Sequence, residues 1–201
     1  TILKMRKEDR ITPINYDPYK LVHVAYDLGW DDSTALVFFQ ISGDIVKVID
    51  CEEFSNKTLS DMEGVLRSKP YKYGTHLFPH DVETIDGLST GCTRRELLED
   101  LGIQVTTVKR GLIADGIESV RALMISRMMI NSNKCDKLLK SLEHYHREWD
   151  DKHKVYSSKP RHDWASHFAD AVRYLAVGLP LVPSTMKSVE DDSKALKGYW
   201  G

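Results

Sequence analysis

Three aspartates occupy positions from which a side chain could take part in chemistry. Asp27 ends the first predicted strand, Asp81 directly follows the fourth predicted strand, and Asp170 lies in the last predicted helix. Open α/β sheets place functional groups at the ends of their strands, and an Asp is unfavourable within a strand. If the last helix borders the same edge of the sheet, the three carboxylates converge there.

Carboxylates that meet at one point repel one another unless cations lie between them. Oxygen ligands of this kind suit Mg²⁺ or Mn²⁺. Two such ions, roughly 3.5–4 Å apart, can activate a water and stabilise the leaving oxygen of a phosphodiester. Each Asp alone has a simpler interpretation as a turn residue or a helix cap, and only the joint pattern favours a two-metal site.

The last predicted helix carries an apolar stripe beside a polar one. The apolar stripe consists of Trp164, Phe168, Ala171 and Leu175, and the polar stripe of Asp163, His167, Asp170 and Tyr174. Residues at these spacings share one face of a helix. The polar stripe is therefore expected to border the sheet edge, although Asp163 also suits a capping position at the start of the helix.

The hydrophobic pattern predicts the element order βββαβαβααα. The predicted strands are 21–27, 34–41, 44–51, 75–79 and 103–109, and the predicted helices are 58–68, 93–101, 113–127, 134–148 and 163–178. Three clustered strands followed by βα units predict an α/β fold, a mixed sheet flanked by helices, which is the element order of the RNase H-like fold. We expect residues 1–20 to form a linker or edge segment, 21–180 the domain, and 181–201 a polar, mobile tail.

Composition excludes several classes of protein. No apolar run approaches the roughly 20 residues of a membrane span, and the first residues are not a secretory signal. The three cysteines are far apart and form no CxxC pair, which argues against a disulfide framework or structural zinc and favours the cytoplasm. The net charge of −2 is unusual for a DNA-binding protein, although residues 132–162 carry eight Lys or Arg against five Asp or Glu.

The sequence resembles the C-terminal nuclease domain of tailed-phage and prophage terminase large subunits over about residues 20–180. The matching stretches are 25–35, 79–81, 115–121 and 162–174, which contain all three aspartates. The chain has no initiator Met and no G-x-x-x-x-G-K-[ST] pattern. We therefore expect a nuclease fragment, without an ATPase motif, of a longer protein whose ATPase domain lies upstream.

This resemblance implies an RNase H-like endonuclease, dependent on Mg²⁺ or Mn²⁺, that cuts concatemeric viral DNA during packaging. The family's metal ligands correspond to Asp27, Asp81 and Asp170. Asp163 and His167 are further candidates for a second metal or for positioning water, and His80 is expected to orient Asp81. The implied partners are double-stranded DNA, the upstream ATPase domain, the portal and the small terminase subunit, at the procapsid in the host cytoplasm.

Four basic residues are candidates for contacts with DNA phosphates rather than with bases. Arg94 and Arg95 begin a predicted helix, and Lys109 and Arg110 end a predicted strand. Ordinary solvated charge explains each of them equally well. Residues 150–161 are rich in lysine and arginine, and we expect a mobile flap over the substrate there.

Three alternatives remain open from the sequence. Residues 87–91 match the G-x-S-x-G elbow of α/β hydrolases, with Ser89 as nucleophile, but the strand and helix that must flank it directly are missing from the pattern. Another RNase H-like nuclease, such as a resolvase or transposase, would share the three carboxylates. A packaging-motor docking domain without catalysis would bind no metal.

Overall fold

The computed structural model describes residues 1–29, 33–85, 91–150 and 153–182. The elements, in chain order, are α1 (Ile2–Lys7), β1 (Ile11–Thr12), β2 (Val22–Asp27), β3 (Ser33–Ser42), β4 (Ile45–Ser55), α2 (Leu59–Ser68), β5 (Tyr73–Phe78), a 3-10 turn (His80–Glu83), α3 (Arg94–Asp100), β6 (Val105–Thr107), α4 (Ile113–Ser126), β7 (Met128–Asn131), α5 (Asp136–His144), β8 (Arg147–Asp150), β9 (Val155–Pro160), α6 (Ser166–Gly178) and a second 3-10 turn (Leu179–Leu181). None of the helices in these ranges is long and apolar enough to cross a membrane.

Seven strands form one mixed sheet in the order β1-β7-β4-β3-β2-β5-β6. β2, β3 and β4 pair antiparallel, whereas β1, β5, β6 and β7 each pair parallel to a neighbour. The short strands β1 and β6 form the two edges. This arrangement confirms the predicted α/β fold with a mixed sheet flanked by helices.

The alternation of side chains along β3 shows how the sheet separates two apolar cores. Ala35, Val37 and Phe39 pack into a core with α4, α5 and α6, whereas Leu36 and Phe38 pack into a core with α2 and α3. Successive side chains of a strand point to opposite faces. Because both faces of β3 are covered, its sequence is a continuous apolar run rather than an alternating one.

Local sequence signals set the helix boundaries on the α2–α3 side. Thr58 and Asp61 form a capping box at the start of α2, and Thr93 and Glu96 form the one predicted at the start of α3. Gly102 follows α3 with a φ of +81°, a conformation that favours glycine and closes a helix. The predicted start and end of α3 are thereby confirmed to within a residue.

Several elements differ from the sequence-based expectation. α1, β1 and β7 were not predicted, and β7 is a four-residue strand held between β1 and β4. The helix predicted over 134–148 ends at His144, and the chain continues into β8. The predicted flap over 150–161 includes β9, which forms an antiparallel hairpin with β8. α6 begins at Ser166 instead of residue 163.

The predicted division of the chain into three segments stays a prediction. Residues 1–20 contain α1 and β1, and β1 pairs parallel with β7 at the sheet edge. The predicted tail lies outside the described residues from residue 183 onward.

A layer of buried aromatic and imidazole rings joins β2 to β5. The Tyr26 ring stacks on Phe78 with 4.0 Å between centroids, and its hydroxyl shares a 2.7 Å hydrogen bond with Nδ1 of His76. The backbone N–H of Thr75 donates to Nδ1 of His23 over 2.9 Å. Burial lowers the pKa of His23 and of His76 to about 4, and the charge of His23 contributes to the shift at His76. Both imidazoles are therefore neutral at physiological pH.

Candidate metal centre

Two of the predicted carboxylates lie at the carboxyl ends of neighbouring parallel strands. Asp27 is the last residue of β2, and Asp81 lies in the 3-10 turn that follows β5. The register pairs Ala25 with Leu77. Both strands therefore end at the same edge of the sheet, the position at which open α/β sheets carry functional groups.

The third carboxylate reaches this edge from α6. Phe168, Ala171 and Leu175 are buried in the core between α6 and the sheet. That packing confirms most of the predicted apolar stripe, whereas Trp164 precedes the helix and is exposed. Asp170 lies on the flank of the buried stripe, and 24% of its side chain is exposed.

His167 approaches Asp27 at the end of β2, and the charge of Asp170 acts on the same carboxylate. His167 Nδ1 lies 3.6 Å from Oδ2 of Asp27. Burial raises the pKa of Asp27; the nearby imidazole of His167 opposes this shift, and the negative charge of Asp170 adds to it. The two carboxylates are therefore close enough to repel each other in a poorly hydrated place.

Asp81 and His80, in the 3-10 turn after β5, each have a buried polar atom. Oδ1 of Asp81 and Nδ1 of His80 are buried, and neither has a hydrogen-bond partner among the described residues. Such atoms are costly in a folded protein and call for a ligand or a water. Within the same described ranges, no group of three or more His, Cys, Asp or Glu side chains is arranged to hold a metal ion. The three-carboxylate ligand set, and the orienting role of His80, therefore stay predictions.

Asp163 is engaged in the turn that precedes α6. Its Oδ1 accepts the N–H of Ala165 over 2.9 Å, and its Oδ2 lies 3.5 Å from Nε of Arg161. The backbone carbonyl of Asp163 also accepts the N–H of Ser166. These contacts are those of a turn residue. The helix itself is preceded by Ala165 at the N-cap, without a side-chain cap hydrogen bond, so the expected capping position of Asp163 is wrong. Its proposed role as a metal ligand stays a prediction.

Sequence reasoning missed the residues that hold Asp170. Nε and Nη2 of Arg173 each lie 3.1 Å from Oδ1 of Asp170. The hydroxyl of Tyr145, which follows α5, donates to the same Oδ1 over 3.4 Å. The guanidinium carbon of Arg173 also lies 4.6 Å from the ring centroid of Tyr174. The spacing of Asp170 and Arg173 three residues apart on a helix was a readable signal, whereas the sequence contains none for Tyr145.

The predicted DNA contacts differ in their surroundings. Arg95 is bound to the carboxylates of Glu83 and Glu99, and its Nη2 donates to Oγ1 of Thr107 over 2.5 Å. This network links α3, β6 and the 3-10 turn, so Arg95 has a structural role. Arg94 lines a cleft of about 680 Å³ beyond the end of β2.

Lys109 and Arg110 are exposed in the segment after β6. Their accessibility is compatible with phosphate contacts and equally with ordinary solvation. Ser89 of the G-x-S-x-G pattern, together with residues 86–90, lies outside the described part of the chain.

No protein-family model and no curated protein matches the chain by sequence. Solved structures do match. The large terminase of a thermophilic bacteriophage, in complex with ADP, matches with a TM-score of 0.67 and 20% identity over 90% of this chain and 44% of that chain. The P22 large terminase nuclease domain matches with a TM-score of 0.65 and 18% identity over 88% of this chain and 91% of that chain.

A third match is the nuclease domain of g2p, the large terminase of bacteriophage SPP1, with bound Mn. Its TM-score is 0.58 and its identity 16%, over 81% of this chain and 87% of that domain. This chain spans less than half of the thermophilic phage terminase but most of the two isolated nuclease domains. The chain therefore has the RNase H-like fold of the nuclease domains of phage large terminases.

Proposed function

We propose that this chain is a divalent-metal-dependent DNA endonuclease that cuts concatemeric viral DNA during genome packaging. What supports the proposal is the approach of His167 to Asp27, with the charge of Asp170 acting on the same carboxylate, at the edge of the sheet where Asp81 follows β5. The fold of phage large terminase nuclease domains supports the same function.

The residues at this edge fit a hard divalent cation. The raised pKa of Asp27 shows that its charged form is disfavoured, first by burial and then by the charge of Asp170. A cation between the two carboxylates would relieve both costs. Oδ1 of Asp81, buried and unpartnered among the described residues, is a further oxygen donor. An all-oxygen set of this kind suits Mg²⁺ or Mn²⁺, and the SPP1 domain was solved with Mn bound.

A nucleic-acid substrate makes the cation necessary. Phosphodiester groups carry negative charge, and a cluster of carboxylates would repel them. Asp27, Asp81 and Asp170 would hold one or two ions, which supply an activated water and stabilise the leaving oxygen. His167 fixes the orientation of the Asp27 carboxylate through its contact with Oδ2. The packing of α6 on β2 and β3 holds Asp170 at the site, because rigid elements position ligands more accurately than loops do.

Nicking of supercoiled plasmid tests the proposal. We expect activity with Mn²⁺, weaker activity with Mg²⁺, little sequence preference and complete inhibition by EDTA. Asp27→Ala and Asp81→Ala should each abolish nicking. Asp44→Asn is the matched control, because Asp44 is exposed in the turn between β3 and β4 and Asn suits the same turn. Nicking that survives either alanine substitution contradicts the proposal.

Nuclease assays, metal binding and active-site labelling separate the alternative functions. Cleavage restricted to four-way junctions, with linear duplex left intact, would indicate a resolvase-type nuclease. Absence of metal binding and of nicking would indicate a docking domain, and labelling by a fluorophosphonate together with resistance to EDTA would indicate a serine hydrolase.

The proposed partners follow from the longer protein that this chain matches in part. The chain corresponds to 44% of the thermophilic phage large terminase chain, so we propose that an ATPase domain lies upstream in the same protein. We propose double-stranded DNA as substrate, with the portal and the small terminase subunit as partners at the procapsid in the host cytoplasm.

A further inference from the structure

A buried glycine on α4 leaves room for an arginine side chain of α6. Gly116 is buried, and a Cβ built on it would lie 2.7 Å from both Cγ and Cδ of Arg173. Contacts that short do not occur between real side chains. Glycine is also unfavourable within a helix. Its presence at this position in α4 is therefore explained by the close approach of the Arg173 stem.

The far end of Arg173 is held on one oxygen of Asp170. Nε and Nη2 of Arg173 and the hydroxyl of Tyr145 all reach Oδ1, at 3.1, 3.1 and 3.4 Å respectively. Oδ2 receives none of these three donors. The guanidinium is also fixed over the ring of Tyr174, so Arg173 is held along its stem and at its head.

We propose that Arg173, for which Gly116 leaves room, is a positioning residue that occupies Oδ1 of Asp170 and thereby presents Oδ2 to a divalent cation. The proposal rests on the proposed function, since it requires Asp170 to be a metal ligand. It also gives a role to Gly116 within the stretch 115–121, which the nuclease chemistry itself does not use.

Orientation, and not charge, is what Arg173 supplies. A positive charge next to a cation site weakens cation binding, so a purely electrostatic role would make Arg173 harmful. A planar guanidinium can place two N–H groups on one carboxylate oxygen, whereas a lysine ammonium is a point charge without that geometry. Partners that orient metal ligands typically contribute 10- to 100-fold to affinity.

Arg173→Lys therefore separates the two roles, because it keeps the charge and removes the geometry. We expect Mn²⁺ affinity, measured by titration calorimetry and by the EPR signal of free Mn²⁺, to fall by roughly 10- to 100-fold. The matched control is Arg121→Lys, since Arg121 pairs with Glu118 at the same helical spacing on exposed α4 surface. Wild-type or tighter Mn²⁺ binding by Arg173→Lys overturns the proposal.

Gly116→Ala tests whether the space that Gly116 leaves for Arg173 matters, without altering a charged group. We expect weaker Mn²⁺ binding in the wild-type background and no further effect in an Arg173→Ala background, because the glycine acts only through Arg173. Gly64→Ala on α2 is the matched control, since a Cβ there meets nothing within 4 Å. Equal losses from Gly116→Ala in both backgrounds contradict the positioning role. This variant also keeps the proposal testable if Arg173→Lys fails to fold.

Asp27→Ala distinguishes the two proposals in the same titration. If Asp27→Ala binds Mn²⁺ as the wild type does, the proposed metal centre is wrong. If Asp27→Ala loses binding while Arg173→Lys and Gly116→Ala keep it, only the positioning role is wrong.

Discussion

Acid should weaken this fold through the two imidazoles buried between β2 and β5. His23 and His76 have pKa values of about 4, against an ordinary value of 6.5. Because the folded pKa is lower, the unfolded chain takes up protons first as the pH falls. Stability is therefore lost from about pH 6.5 downward, and the loss ends near pH 4, where the folded imidazoles also become protonated.

The size of this loss follows from the two pKa values. One unit of pKa corresponds to about 1.36 kcal/mol, so each histidine can contribute at most about 3.4 kcal/mol. Between pH 7.5 and pH 5 the expected loss is about 2 kcal/mol for each, or about 4 kcal/mol together. That is a large part of the roughly 5–15 kcal/mol that stabilises a typical domain. Ordinary carboxyl groups titrate mainly below this window.

Urea denaturation at a series of pH values between 7.5 and 5 measures the effect. In His23→Asn and His76→Asn, an amide oxygen replaces Nδ1 as acceptor for Thr75 or Tyr26, and the titration is removed. Each variant should flatten the dependence of stability on pH by about 2 kcal/mol over this range. An unchanged pH dependence in both core variants would refute the reasoning.

Three further predictions concern packing, capping and the metal centre. Gly178→Ala places a Cβ 2.8 Å from Cγ2 of Val108 and should cost roughly 1–3 kcal/mol in urea denaturation; a neutral result would contradict the tight packing. Thr93→Ala removes the α3 capping box and should cost about 1 kcal/mol, and an unchanged melting temperature would contradict that role. Asp27→Asn should stabilise the metal-free protein at neutral pH, because burial raises the pKa of this carboxyl. The gain in the free energy of unfolding should shrink as the pH falls through that raised pKa. Mn²⁺ at 100 times its dissociation constant stabilises the wild type by about 2.7 kcal/mol. With Mn²⁺ present, the wild type should therefore be more stable than the variant.

The fold was largely predictable because its core elements have strong local signals. β3 is a ten-residue strand with an unbroken apolar run over residues 35–39, and the start of α3 is a capping box, so both could be read without tertiary information. β7 and β1 have only four and two residues. They exist because β4 offers a free edge to β7, and β7 then offers one to β1, which is a tertiary effect that no short window contains.

The positions of the three candidate carboxylates in the fold were predictable, and the groups around them were not. Asp27 and Asp81 could be identified because they end strands, and Asp170 because it flanks an apolar stripe. Tyr145 could not be identified from the sequence, because its contact with Asp170 depends on where α5 ends and on how α5 and α6 pack. The partners of Arg95 could not be predicted either. Its position at the start of a predicted helix suggested phosphate contacts, whereas its contacts with Glu83 and Glu99 depend on how α3 packs against the 3-10 turn.

The strands that flank the sheet are its shortest, with two residues in β1 and three in β6, whereas the central strands β3 and β4 have ten and eleven. An exposed edge strand offers unpaired amide and carbonyl groups to any other β-strand it meets. In this sheet the long strands are internal, and each edge strand offers only a few unpaired amide and carbonyl groups. Self-association of the seven-stranded sheet through β-addition is thereby disfavoured.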